Sequence, residues 1–160
     1  MRLAELHVES YGILRQSDWS FAPGFQLVYG PNEAGKSTLL QLIREVLFGF
    51  PANSPYDFPD SAGEMAARVR LVLNDGRELA YRRRKGRRNL VRGEFVTGGE
   101  LVDEPALRKL LGAASADLYQ RVFAFSLHDL SAGEQSLEQG DLREALFGVS
   151  LGGMSRFRAV

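Results

Sequence analysis

Residues 30–37 read Gly-Pro-Asn-Glu-Ala-Gly-Lys-Ser, a Gly-x4-Gly-Lys-Ser pattern with no substitution. The residue types explain the spacing. A polyphosphate needs several donors converging at short range, and glycines let the backbone curl until its N–H groups point inward, beside the positive end of a helix dipole. Lys36 brings an ammonium to the β and γ phosphates and is the residue expected to act in catalysis. The Ser37 hydroxyl suits a Mg²⁺ shell, and Thr38 is the next, poorer, hydroxyl. The expected nucleotide contacts are therefore Gly30, Pro31, Asn32, Glu33, Ala34, Gly35, Lys36, Ser37 and Thr38, with backbone donors from Asn32 to Lys36, and the expected cofactors are ATP and Mg²⁺. The plain alternative is a Gly-rich turn with Ser37 near a helix start and Lys36 in solvent.

The flanks decide between the two. "FQLVY" (25–29) is a short apolar run of the kind buried in a sheet, delivered by a Pro23-Gly24 turn. After the loop, Leu39, Leu40, Leu42, Ile43, Val46 and Leu47 recur at helical spacing, and Gly49 with Pro51 stops the helix. Strand, loop and helix in that order are what the motif requires. Upstream, Ala4, Leu6 and Val8 alternate with polar neighbours as in a half-buried strand ending at Tyr11-Gly12, and "DWSF" is a weaker strand. Downstream, "PANSPYDFPD" is an exposed connection. Ala67, Val69, Leu71 and Leu73 then mark a strand, and Asn74-Asp75-Gly76 is a strong hairpin signal toward "RELAYRR". Lys85-Gly86 turns into a third strand, "RNLVR". "EPALRKLLG", "ADLYQRVFAFS" and "GDLREALFG" are helical patterns, and residues 93–150 hold ten acids against four bases.

The expected fold is an α/β P-loop NTPase: a mixed sheet around the phosphate-loop strand, an antiparallel β meander and a helical C-terminal part. Three stretches divide it: residues 1–50 with strands, loop and helix, 64–92 with the meander, and 103–150 with the helices. With 160 residues, 44% of them hydrophobic, the chain makes one domain. Twenty Lys and Arg against twenty Asp and Glu give no overall charge, so no general signature of a nucleic-acid binder. The chain has no cysteine, which excludes disulfides and thiolate metal sites, and it lacks a signal-peptide core and any membrane-length apolar run. A soluble, cytoplasmic protein without membrane contact is expected.

One local patch departs from neutrality. "YRRRKGRRNLVR" concentrates seven cations, and Arg82, Arg84, Arg87 and Arg88 are the candidate DNA contacts. A solvated hairpin tip explains the same residues equally well. Hydrolysis also needs carboxylates. The only Asp-Glu after an apolar pair is Asp103-Glu104 in "ELVDE", and Pro105 makes it a better helix start. "LSAGEQ" (130–135) imitates a signature motif, but Ser131 and Glu134 fit a capping box, and no Walker B strand follows.

"GPNEAGKSTLL" together with "LHVESYGILRQSDWSFAPGFQLVYG" resembles the YhaN-type AAA proteins, relatives of the SMC-like chromosome and DNA-repair ATPases. Asn32 matches the wider group, Glu33-Ala34 matches the YhaN-type branch, and "VFAFSLHDL" and "DLREALFG" look like family segments. The resemblance implies the N-terminal lobe of an ABC/SMC-type ATPase head. The family chain continues through a coiled coil to a C-terminal lobe that carries the signature and Walker B acids. It further implies a homodimer that sandwiches ATP, a role in DNA metabolism, and a nuclease partner. Two positions depart from the pattern. Where a Gln should meet Mg²⁺ and the attacking water, the chain has Ser126-Leu127-His128-Asp129, leaving His128 or Asp129 as substitutes. Gly12 stands where related repair ATPases place a nucleotide-touching Arg, leaving Arg15 as a substitute. The alternatives are a stand-alone nucleotide-dependent regulatory or DNA-binding module without hydrolysis, and a small-molecule kinase, for which no acceptor site is apparent.

Overall fold

A computed structural model describes residues 1–58, 65–87, 90–112, 114–124 and 126. Met1–Gly112 form one compact unit and Ala113–Val160 another.

The first unit is built on strands β1 (Arg2–Tyr11), β2 (Leu14–Ser20), β3 (Ala66–Val72), β4 (Glu78–Arg84), β5 (Val91–Phe95) and β6 (Leu101–Val102), with helices α1 (Lys36–Phe48) and α2 (Glu104–Leu111). The strands form one sheet in the order β2-β1-β3-β4-β5-β6, and each neighbouring pair is antiparallel. The expected hairpin closes β3 onto β4: Gly76 takes φ 85°, and the Leu73 N–H donates to the Arg77 carbonyl at 2.8 Å. Alternation then sorts the side chains. Leu6, Val8, Val69, Leu71, Leu79, Tyr81, Val91 and Phe95 are buried, whereas His7, Arg68, Arg82 and Arg92 stand directly opposite one another on the other face. Gly93 sits where β5 passes Tyr81 so closely that a Cβ would come within 2.3 Å of the Tyr81 Cβ.

Helix α1 buries Leu39, Leu42, Val46 and Leu47. Its C-terminal end is pinned over β4 by the Tyr81 hydroxyl, which donates to the Val46 carbonyl at 3.0 Å. Burial pushes that hydroxyl above the usual phenol range, keeping it a donor. Gly49 ends the helix, its N–H donating to the Glu45 carbonyl at 2.8 Å.

Two expectations are corrected. The sheet is antiparallel rather than mixed, because residues 25–29 form no strand. Phe25 is 89% exposed, Leu27 73% and Tyr29 86%: an apolar run of this kind becomes a buried strand only when neighbours cover it, and no described strand does so.

In the second unit, α3 (Ala116–Val122) is capped by Ser115, whose hydroxyl accepts from the Leu118 N–H at 3.1 Å. "GDLREALFG", "LSAGEQ", His128 and Asp129 lie outside the described residues.

Candidate nucleotide-binding site

The loop enters α1 through two left-handed residues, Glu33 at φ 66° and Gly35 at φ 88°, and Gly35 is the N-cap. A side chain at Gly35 would be strained by its φ. It would also meet Leu14 at 3.0 Å and Ile13 at 3.2 Å, so the β1–β2 turn presses against the loop at this point. The same turn is held from behind. The Gly12 N–H donates to the Tyr56 carbonyl at 3.0 Å, and the Tyr56 ring stacks on Tyr11 with centroids 5.0 Å apart. Burial, with the nearby Glu45 carboxylate, raises the Tyr11 hydroxyl well above its ordinary range.

Curling the loop frees donors. The Ala34 N–H reaches the Pro31 carbonyl at 3.4 Å and the Leu39 N–H the Gly35 carbonyl at 2.8 Å. The amides of Gly35, Lys36, Ser37 and Thr38 donate to no described backbone carbonyl. No acidic residue occupies the first turn of α1 to offset the positive helix end. Lys36 folds back into the loop, its ammonium donating to the carbonyls of Gly30 at 2.8 Å and Pro31 at 2.6 Å. Ser37 is exposed and Thr38 half-buried, its methyl 3.3 Å from the position of a Cβ on Gly12. Free amides, a bare Gly35 and a loop ammonium held at the Gly30 and Pro31 carbonyls are groups that fit a polyphosphate. Arg15, the substitute for an Arg at Gly12, is exposed on β2 and pairs in register with Ser10. Among the described residues no group of three or more His, Asp or Glu could hold a metal ion. The exposed Ser37 hydroxyl, expected from the sequence to face a metal, stands at the second residue of α1.

The two carboxylates of the Asp103-Glu104 pair are engaged elsewhere. Asp103 caps α2, its Oδ1 accepting from the Ala106 N–H at 3.0 Å, which is the helix start its Pro105 neighbour suggested. Glu104 accepts from the Arg83 Nη1 at 2.8 Å.

The basic hairpin separates into distinct roles. Arg82 grips Glu9 in a bidentate pair, Nε to Oε1 at 2.8 Å and Nη2 to Oε2 at 2.7 Å, and the Arg68 Nε reaches Oε1 at 2.9 Å. The Arg82 hydrogen bonds, seconded by Arg68, hold the Glu9 carboxyl down at about 2. Arg84 lies on β4, the ammonium of Lys85 meets Asp57 at 2.6 Å, Arg87 is exposed, and Arg88 lies outside the described residues. Arg83 was not singled out by sequence reasoning. It is 1% exposed, and its guanidinium donates to the carbonyls of Val46 at 2.8 Å and Leu47 at 3.2 Å, at the C-terminal end of α1. Its signal was the period of two, which puts Arg83 in line with Leu79 and Tyr81.

A glycine-curled loop opening a helix marks a nucleotide-binding module of the ATPase kind. Residues 1–160 match the AAA domain family model, and the chain belongs to that family. It is similar to the uncharacterized protein YhaN of Bacillus subtilis (strain 168), with 30% identity over 132 residues, and so to the YhaN-type AAA proteins. That alignment covers 81% of this chain but only 13% of YhaN. Among the described residues no helix is long and apolar enough to cross a membrane.

Proposed function

We propose that this chain is the N-terminal lobe of an SMC-like ATPase head and binds Mg-ATP through residues 30–38. The observation that carries the reading is the set of unclaimed amides from Gly35 to Thr38, beside the folded-back ammonium of Lys36. In this reading those amides hold the β and γ phosphates, Lys36 swings from the Gly30 and Pro31 carbonyls onto the tail, and Ser37 faces the metal. The metal would supply charge neutralisation of the phosphates. Hydrolysis falls to a second lobe of the full-length protein, with ATP sandwiched between two heads. Three observations support a split site. Asp103 and Glu104 are occupied in capping α2 and pairing Arg83, the apolar run at 25–29 is uncovered, and the chain spans only 13% of its relative. In this reading the apolar run at 25–29 is covered by the other lobe. DNA metabolism is the setting this implies, with a nuclease partner. Arg82, Arg84, Arg87 and Arg88 are the DNA candidates, and Arg82 also grips Glu9.

Calorimetry of the chain with ATP and MgCl₂ tests the core claim: saturable binding is expected, falling at least tenfold in Lys36→Ala, with negligible phosphate release by the chain alone. Absence of binding refutes the nucleotide reading, and brisk turnover refutes the split site. A fluorescent DNA duplex whose affinity and salt slope are unchanged by Arg84→Ala, Arg87→Ala and Arg88→Ala together would remove the DNA contact.

A further inference from the structure

Glu33 breaks two local rules at once. Its φ of 66° lies where glycine is at ease and other residues are strained. Its exposed carboxylate sits in the turn that aims amides at an anion, and no hydrogen bond or ion pair to a described residue offsets it. The nearest cation along the chain, Lys36, spends its ammonium on the Gly30 and Pro31 carbonyls. Packing does not demand a glutamate here, since the residue is exposed. Strain and an uncompensated charge that coincide at a binding loop point to a function served by the offending group.

We propose that Glu33 is a charge filter that makes the loop take its polyphosphate in the metal-bound form and reject the metal-free form. The proposal rests on the nucleotide-binding reading above. A metal-free triphosphate carries roughly four negative charges and its complex with a divalent cation roughly two, so one nearby carboxylate repels the first about twice as strongly. Taking a separation of about 8 Å in water, with little screening at 0.01 M salt, the repulsion weakens metal-free binding about 15-fold and metal-bound binding about fourfold. The preference for the metal complex due to Glu33 is the ratio, about fourfold. At 0.15 M salt, screening shrinks the metal-free effect to about fourfold.

Glu33→Gln isolates the charge, because it keeps side-chain size and backbone demand. Dissociation constants for ATP are measured by calorimetry on the full chain, with MgCl₂ or with EDTA, at both salt concentrations. The expected result is that Glu33→Gln tightens metal-free binding far more than metal-bound binding at 0.01 M salt, with the gap closing as salt rises, while Glu33→Asp keeps the metal preference. Equal affinities of Glu33→Gln and wild type for both forms, or equal tightening of both, overturn the filter and leave the nucleotide reading intact. A wild-type chain that binds ATP under neither condition overturns both.

Discussion

Replacing Arg83 with Met is the sharpest test of how helix α1 is anchored. Methionine keeps much of the buried stem and removes the guanidinium. Among the described residues the Val46 carbonyl then retains only the Tyr81 hydroxyl, the Leu47 carbonyl loses its Arg83 donor, and Glu104, 19% exposed, keeps only the longer 3.3 Å contact with Arg108. A lost hydrogen bond to a charged donor costs about 1.5 to 3 kcal/mol, and stripping one partner from a buried ion pair costs about 3 to 5 kcal/mol in all. The expected loss is therefore about 4 kcal/mol, a large share of the stability of a domain this size. Urea unfolding followed by tryptophan fluorescence reads it. Glu104→Gln should cost about 2 kcal/mol alone but much less once Arg83 is gone, because the stranded carboxylate accounts for part of the first loss. Arg83→Lys, which keeps the charge without the fork, should fall between. A loss below about 1 kcal/mol in Arg83→Met, or strict additivity with Glu104→Gln, would show that the guanidinium does not hold helix and sheet together.

The Glu9 carboxyl, held at about 2 against an ordinary 4.5, contributes stability that is complete above pH 4.5 and disappears as pH falls toward 2. Full linkage would give about 3 kcal/mol, but Arg68 and Arg82 are 67% and 40% exposed, so screening leaves about 1 kcal/mol. Wild type should thus exceed Glu9→Gln in urea midpoint at pH 7 and converge with it near pH 2, and a gap that persists at low pH would contradict the ion pairing. Gly93→Ala would force a Cβ to within 2.4 Å of the Ala80 carbonyl oxygen as well as onto Tyr81, and should cost about 3 kcal/mol in thermal unfolding. An unchanged melting temperature would mean that β5 does not approach β4 as described.

What could be read from the sequence was what a single segment dictates. The glycine-turned loop opening α1 was legible because such a loop depends on residue types at fixed spacing, and the β3–β4 hairpin because Asn74-Asp75-Gly76 has few other uses. The Asp103 cap was legible from Pro105 for the same local reason. Residues 25–29 misled because an apolar run records only an affinity for burial and not what supplies it. Arg83 was hidden inside a run of cations that looked uniformly exposed. Only its carbonyl partners 36 and 37 residues away in sequence, and Glu104 beyond, make a buried arginine tolerable, and no local pattern announces such partners.

The uncovered run from Phe25 to Tyr29 also has a consequence in time. Since 132 residues are 13% of YhaN, that relative is about 1,000 residues long. If the proposed second lobe stands at the far end of a chain of that length, translation at about 5 to 20 residues per second leaves this greasy ribbon waiting for on the order of a minute. During such a wait its exposed Phe25, Leu27, Val28 and Tyr29 are open to a neighbouring nascent chain. A cell making such a protein would therefore gain from a chaperone that shields these five residues until the distant half is synthesised.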